Sequence, residues 1–203
     1  MHLQTADFAA LERFYRRNLF NTLPGPRGLH LIGTKSHRGV ENLGVFSSVV
    51  HLGAGPPLLG FVLRPLTVPR HTYHHLKAQG GHFTLNTVHP GILEKAHQTS
   101  ANYPLETSEF AATGLTPLYS ELLKAPYVAE SPIRIGLELV EEHHIKANDT
   151  LFLVGKIIEI FVPDEYIAST GHVEHQELQT MTVAGLDTYF NNELAARLGY
   201  ARP

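Results

Sequence analysis

Apolar and polar residues alternate with period two along much of the chain, the pattern of half-buried β-strands. Such runs occupy Gly28–Lys35, Leu43–Leu52, Leu58–Leu63, His82–Val88, Pro132–His143 and Thr150–Val162. Turn residues separate them: Ser36–Gly39 after the first, Gly53-Ala-Gly-Pro-Pro57 between the next two, and His144–Asp149 between the last two. Helical spacing appears in shorter stretches. Phe8, Leu11, Phe14 and Tyr15 form one stripe over residues 5–17, with Thr5 or Asp7 as cap and Arg16-Arg17 near the end. A second helix starts at Arg70-His71-Thr72, carries Tyr73 and Leu76 on its apolar side and stops at Gly80-Gly81. Further helical segments are expected at Gly91–Thr99, at Glu109–Ala112, and over Gly185–Leu198, with Tyr189, Leu194 and Leu198 as anchors.

Six strands joined mostly by short turns, without regular helical crossovers, predict a mainly β fold with peripheral helices. Closing the sheet into an antiparallel barrel removes its edges. The expected organisation is one domain over residues 1–203, with an N-terminal helix at about 5–17 and a helical extension at about 185–203.

Composition narrows the function classes. Of 203 residues, 43% are hydrophobic and 17% charged, and the formal net charge is -3 with basic residues scattered, so a nucleic-acid partner is not expected. There is no cysteine, which excludes disulfides, thiolate metal sites and thiol redox chemistry within the chain. Charges interrupt the apolar pattern of the N-terminus, unlike a signal peptide, and no apolar run approaches the roughly 18 residues of a membrane span. A cytoplasmic location without membrane association is the expectation.

Two polar groups stand out. Asn42, Ser47 and Ser48 cluster around Phe46 at the head of the Leu43–Leu63 pair. Adjacent strand residues point to opposite faces, so Ser47 and Ser48 serve one pocket only if the strand bends there or its backbone takes part. The helix start at Arg70 and Thr72 can hold a phosphate, because free N–H groups and the helix dipole favour an anion. Other chemistries fail on spacing. Gly53-Ala-Gly55 runs into Pro56-Pro57 where a dinucleotide-binding helix would begin, and there is no Walker A sequence or Gly-x-Ser-x-Gly elbow. The fourteen histidines, including His172 and His175 beside Glu174 and Glu177, make no closed metal spacing, so no metal site is expected.

In order along the chain come Asn42-Leu-Gly-Val-Phe-Ser-Ser48, Pro56-Pro57-Leu-Leu-Gly-Phe61, Arg70-His-Thr72, Phe83-Thr-Leu-Asn-Thr87, Phe110-Ala-Ala-Thr-Gly-Leu115 and Ala129-Glu-Ser-Pro-Ile133. This succession resembles the flavin reductase-like family of FMN-binding split barrels, over residues from about 20 to 190. The resemblance implies a homodimer of split β-barrels with FMN in a groove near the interface. Asn42, Phe46, Ser47 and Ser48 would then lie along the isoalloxazine and ribityl chain, partly through backbone groups. Arg64, Arg70 and Thr72 would take the phosphate, and Asn86 would approach the ring. It further implies an oxidoreductase passing hydride or electrons from NAD(P)H, or from a redox partner, through FMN to an acceptor. The alternative is an FMN-holding electron carrier with little nicotinamide turnover. Three positions depart from the family pattern. Val45 replaces a frequent proline, Arg-His-Thr replaces Lys-Asp-Thr, and Met181-Thr-Val-Ala-Gly-Leu-Asp-Thr-Tyr189 stands where reductases carry His-x-aromatic-x-Gly.

Overall fold

Each of the six expected runs contains strand, one of them is broken in two, and five short strands that the pattern did not predict are added. A computed structural model describes residues 1–202. It begins with two short helices, α1 (Thr5–Phe8) and α2 (Arg13–Thr22). Strands β1 (Arg27–Gly28), β2 (His30–Lys35), β3 (Glu41–Phe46), β4 (Val50–Ala54) and β5 (Pro57–Leu63) follow. Helix α3 (His71–Ala78) leads into β6 (His82–Thr87), and a single 3-10 turn precedes α4 (Leu93–Gln98) and α5 (Glu109–Thr113). Then come β7 (Pro117–Leu118), β8 (Tyr127–Val128), the long hairpin β9 (Arg134–Ile145) and β10 (Thr150–Phe161), and finally β11 (Met181–Ala184) and β12 (Thr188–Asn191).

The main sheet has seven antiparallel strands in the order β3-β2-β6-β9-β10-β5-β4. Its two edge strands, β3 and β4, are consecutive in sequence, with only Ser47, Ser48 and Val49 between them. In a flat sheet, six interstrand steps would separate those edges by roughly 29 Å. The four residue steps from Phe46 to Val50 reach about 14 Å at most. The sheet must therefore curl until its edges meet, which makes it a barrel with a seam. Leu43–Leu52 is accordingly not one strand: it is split at the serines because its two halves belong to opposite edges.

Alternation in β2 divides the core. Leu31 faces an outer cluster with Leu29, Leu43, Val88, Phe110 and Met181. Ile32 faces the barrel interior with Phe61, Phe83, Leu85, Leu137 and Leu153. Leu76 of α3 enters that interior and Phe46 packs against it, so α3 plugs the barrel. Gly80 and Gly81 end α3 with φ of 73° and 82°, and the Gly81 N–H donates to Leu76 O.

Both expected terminal helices differ from the structure. The N-terminal one is two helices, because Glu12 accepts from the N–H groups of Phe14 and Tyr15 at 2.8 and 2.9 Å and so starts a new helix. The expected stripe buries no residue in either helix, although Phe8 meets Phe20 edge to face at 5.1 Å. The C-terminal extension is not helical. Gly185, at φ 66°, turns β11 back onto β12, and residues 192–202 form no regular element. Leu194 and Leu198 are 60% and 87% exposed, so no packing holds a short helix there.

Candidate functional site

The site assembles where α3 begins beside the seam. On β3, the residues facing inward are Asn42, Gly44 and Phe46; on β2 they include Thr34. The buried Asn42 amide donates to Thr34 Oγ1 at 3.0 Å and to Thr72 Oγ1 at 3.3 Å. Beneath it, Thr34 Oγ1 lies 3.4 Å from His75 Nδ1. A Cβ on Gly44 would stand 3.2 Å from the Phe46 ring and 3.8 Å from Thr72 Oγ1, so Asn42, Phe46 and Thr72 share one small volume. Phe46 packs edge to face on Phe61 at 5.5 Å. The first turn of α3 is thus pinned to the inner face of β3.

Electrostatics at this helix start favour an anion. Arg70 is the N-cap and makes no side-chain cap, and the first intrahelical bond is from His74 N to Arg70 O. The N–H groups of His71, Thr72 and Tyr73 therefore have no helical acceptor. The first turn holds no acidic residue. Arg70 donates from Nε to Pro65 O at 3.3 Å. Burial first, and then the neighbouring Arg64, push its pKa down. Among the described residues neither arginine has a carboxylate partner. Two guanidinium groups close enough to repel, beside free amides and a buried threonine, suit a phosphate group.

The seam supplies the other half. Ser48 Oγ accepts from Val62 N at 3.1 Å and donates to Val62 O at 3.0 Å, standing in for a missing strand residue beside β5. The Ser47 hydroxyl has no partner among the described residues, and the backbone N–H groups of Ser47, Ser48 and Val49 belong to neither ladder. The strand bends at the two serines, which resolves their opposed facing. Free amides beside an aromatic ring can line a planar heterocycle.

Asn86 is the exception among the expected residues. It is fully buried on β6; its Nδ2 donates to Leu31 O at 3.2 Å and Thr84 Oγ1 at 2.9 Å, and its Oδ1 accepts from Val128 N at 3.0 Å. With both amide hydrogens committed to the barrel wall, it has none to offer a ligand. Asn86 ties β6 to β2 and β8, and an approach to the ring would not use its amide hydrogens. Thr34 and His75 were not singled out from sequence, although they underlie the site. Their signal is spacing, since Thr72 and His75 lie three apart on one helix face.

Residues 25–176 match the flavin reductase like domain family. The chain is 31% identical to an uncharacterised protein of Halalkalibacterium halodurans over 152 residues, covering 72% of each. It superposes with TM-score 0.94 on a split-barrel protein from Shewanella frigidimarina assigned as a flavin reductase. The two are 42% identical, covering 99% of this chain and 100% of that one. The fold is shared, at TM-score 0.70 and 18% identity, with an FMN-binding protein from Thermus thermophilus, covering 87% and 93%. Among the described residues no helix is long and apolar enough to cross a membrane. Pinned helix start, free seam amides and curled seven-stranded sheet thus sit within a matched sequence, and the chain belongs to the flavin reductase-like family of split-barrel proteins.

Proposed function

We propose that this protein binds FMN and acts as an oxidoreductase, passing hydride from NAD(P)H through the flavin to an acceptor. The observation that carries FMN, over a flavin without phosphate, is the start of α3, where Arg70 is the N-cap and the N–H groups of His71, Thr72 and Tyr73 have no helical acceptor. Arg64 adds a second cation that acts on Arg70, and neither has a carboxylate partner among the described residues. In this reading the N–H groups of His71 and Thr72 join the guanidinium groups on the phosphate. The amides of Ser47 and Ser48 and the Phe46 ring border the isoalloxazine, while Asn42 holds Thr72 in place. Bound FMN would supply the hydride-accepting centre, so no acid, base or nucleophile of the chain is required. The description of the Thermus thermophilus protein as FMN-binding supports the same choice of flavin.

A second reading, an FMN-holding electron carrier with little nicotinamide turnover, is favoured by the Met181–Tyr189 segment. It forms a hairpin whose Met181 and Val183 are buried in the outer core, so those side chains are unavailable to a dinucleotide.

Fluorescence titration with FMN and with riboflavin tests the site. FMN is expected to bind more tightly. Arg70→Ala should weaken FMN by about 1.5–3 kcal/mol, the worth of a hydrogen bond to a charged group, and leave riboflavin nearly unchanged. Equal loss for both flavins would remove Arg70 from the phosphate. Anaerobic bleaching of the loaded protein by NADH or NADPH separates the two readings; no bleaching with either leaves the electron carrier.

A further inference from the structure

A recess of about 360 Å³ lies at the far end of α3 from the Arg70 group, lined by Lys35, Ser36, His37, Gln79, Tyr119 and Lys124. Eight helical residues, at about 1.5 Å each, separate the two ends by roughly 12 Å. The charge arrangement here departs from what the strand pairing dictates. Lys35 lies directly across from Glu41 in the β2–β3 ladder, the usual setting for a cross-strand ion pair. That pair is not made. Glu41 Oε1 accepts from Tyr119 Oη at 2.8 Å and its Oε2 accepts from Ser108 Oγ at 3.3 Å. The Lys35 ammonium instead sits 4.4 Å over the Tyr119 ring. Neither Lys35 nor Lys124 has a carboxylate partner among the described residues.

Two bonds fix the lining between the end of α3 and the β2–β3 turn. Gln79 Nε2 donates to Ser36 O at 2.8 Å, tying the helix end to the β2–β3 turn. Ser36 Oγ accepts from Val40 N at 3.0 Å, which leaves the hydroxyl hydrogen free to be donated. At the end of α3 the carbonyls of His75 and Leu76 are taken by the N–H groups of Gln79 and Gly81, which leaves those of Lys77 and Ala78 for the lysines to offset. The result is two ammonium groups, an imidazole and a hydroxyl around an aromatic wall. Lysine ammoniums act as point charges that suit compact oxyanions. The volume falls within the range of about 300–1,000 Å³ typical of small-molecule sites, which is more than a bare anion fills.

We propose that this recess is a second anion site, separate from the flavin group, which takes the phosphate ester of a small soluble molecule. Lys35 and Lys124 hold the phosphate and the Tyr119 side lies against the ester's organic part. The proposal does not depend on the flavin reading.

The test is a calorimetric and NMR titration of the FMN-loaded chain with phenyl phosphate and, separately, with inorganic phosphate. Loading keeps the Arg70 group filled; if the chain takes no FMN, the same titration on an Arg70→Ala background serves. Saturable binding of phenyl phosphate is expected, about tenfold tighter than inorganic phosphate, with shifts confined to residues 35–39, 79 and 119–124. Lys35→Met and Lys124→Met should each weaken it by about tenfold, with circular dichroism and melting unchanged. Lys35→Arg should retain it. Binding that survives the double methionine variant, or absence of saturation at millimolar ligand, would overturn the site. Equal affinity for the two probes would overturn the ester.

Discussion

Ser48 holds both backbone groups of Val62 with one hydroxyl, while its neighbour Ser47 holds nothing. The two serines look alike in the sequence and do different work. Ser48→Ala leaves a half-buried N–H and C=O of β5 without their partner, and should destabilise the fold by about 1–2 kcal/mol. Ser47→Ala should stay within about 0.5 kcal/mol. Urea denaturation of the two variants reads the difference, and equal losses would refute the assignment of Ser48 to the seam. At this scale much of the site was legible. Asn42 and Thr72 meet, Phe46 stands near Thr72 across Gly44, and Arg64 acts on Arg70. The bonds of Asn86 were not legible, because a strand's sequence does not reveal which backbone groups of neighbouring strands fall opposite its amide. The β2–β6 register puts Asn86 across from Leu31, within reach of that residue's carbonyl.

Two imidazoles, His75 on α3 and His30 on β2, stay neutral in the folded protein near neutral pH. His75 is buried beneath the site, and burial, then the neighbouring His71, His74 and His37, take its pKa from the ordinary 6.5 down to about 4. His30 falls to about 4 as well, through burial first and His175 after the opposing Gly28 backbone contact. In the unfolded chain both rings take up protons near 6.5, whereas the folded protein resists until about 4. Protons therefore bind the unfolded state preferentially between those values. Stability from these groups should be full above about pH 6.5, decline as pH falls toward 4, and lose nothing further below that. Urea midpoints across this range measure the decline, and His75→Gln should flatten it. A slope identical in wild type, His75→Gln and His30→Gln would rule out both histidines as its source. The position of α3 followed from its Gly80-Gly81 stop, yet its role as the barrel's plug did not. Leu76 reads as any apolar helix residue until the barrel interior is seen to receive it.

The assembled molecule leaves large apolar side chains uncovered at several places. Phe14 is 57% exposed on α2, Ile160 59% on β10 and Leu198 87% near the C-terminus. Scattered single residues of this kind are ordinary surface, so the homodimer that the family resemblance implies rests on the resemblance alone. Light scattering on the purified protein is expected to give twice the mass of the chain. A monomer at micromolar concentration would overturn the expected dimer and leave the family membership intact.

The runs that supply the seven-stranded sheet, their turns, the α3 boundaries and the anion-ready helix start were determined by the sequence itself, because periodicity, glycine and proline conformations and free helix-end amides act over a few neighbouring residues. Which strands became the edges, the break at Ser47-Ser48-Val49 and the partners of Asn86 and Glu41 were decided only in the tertiary structure. Those depend on how a seven-stranded sheet closes on itself, a condition that binds residues far apart along the chain. The terminal helices failed as expectations for a related reason: an amphipathic stretch becomes a packed helix only where the rest of the molecule offers a surface to receive it.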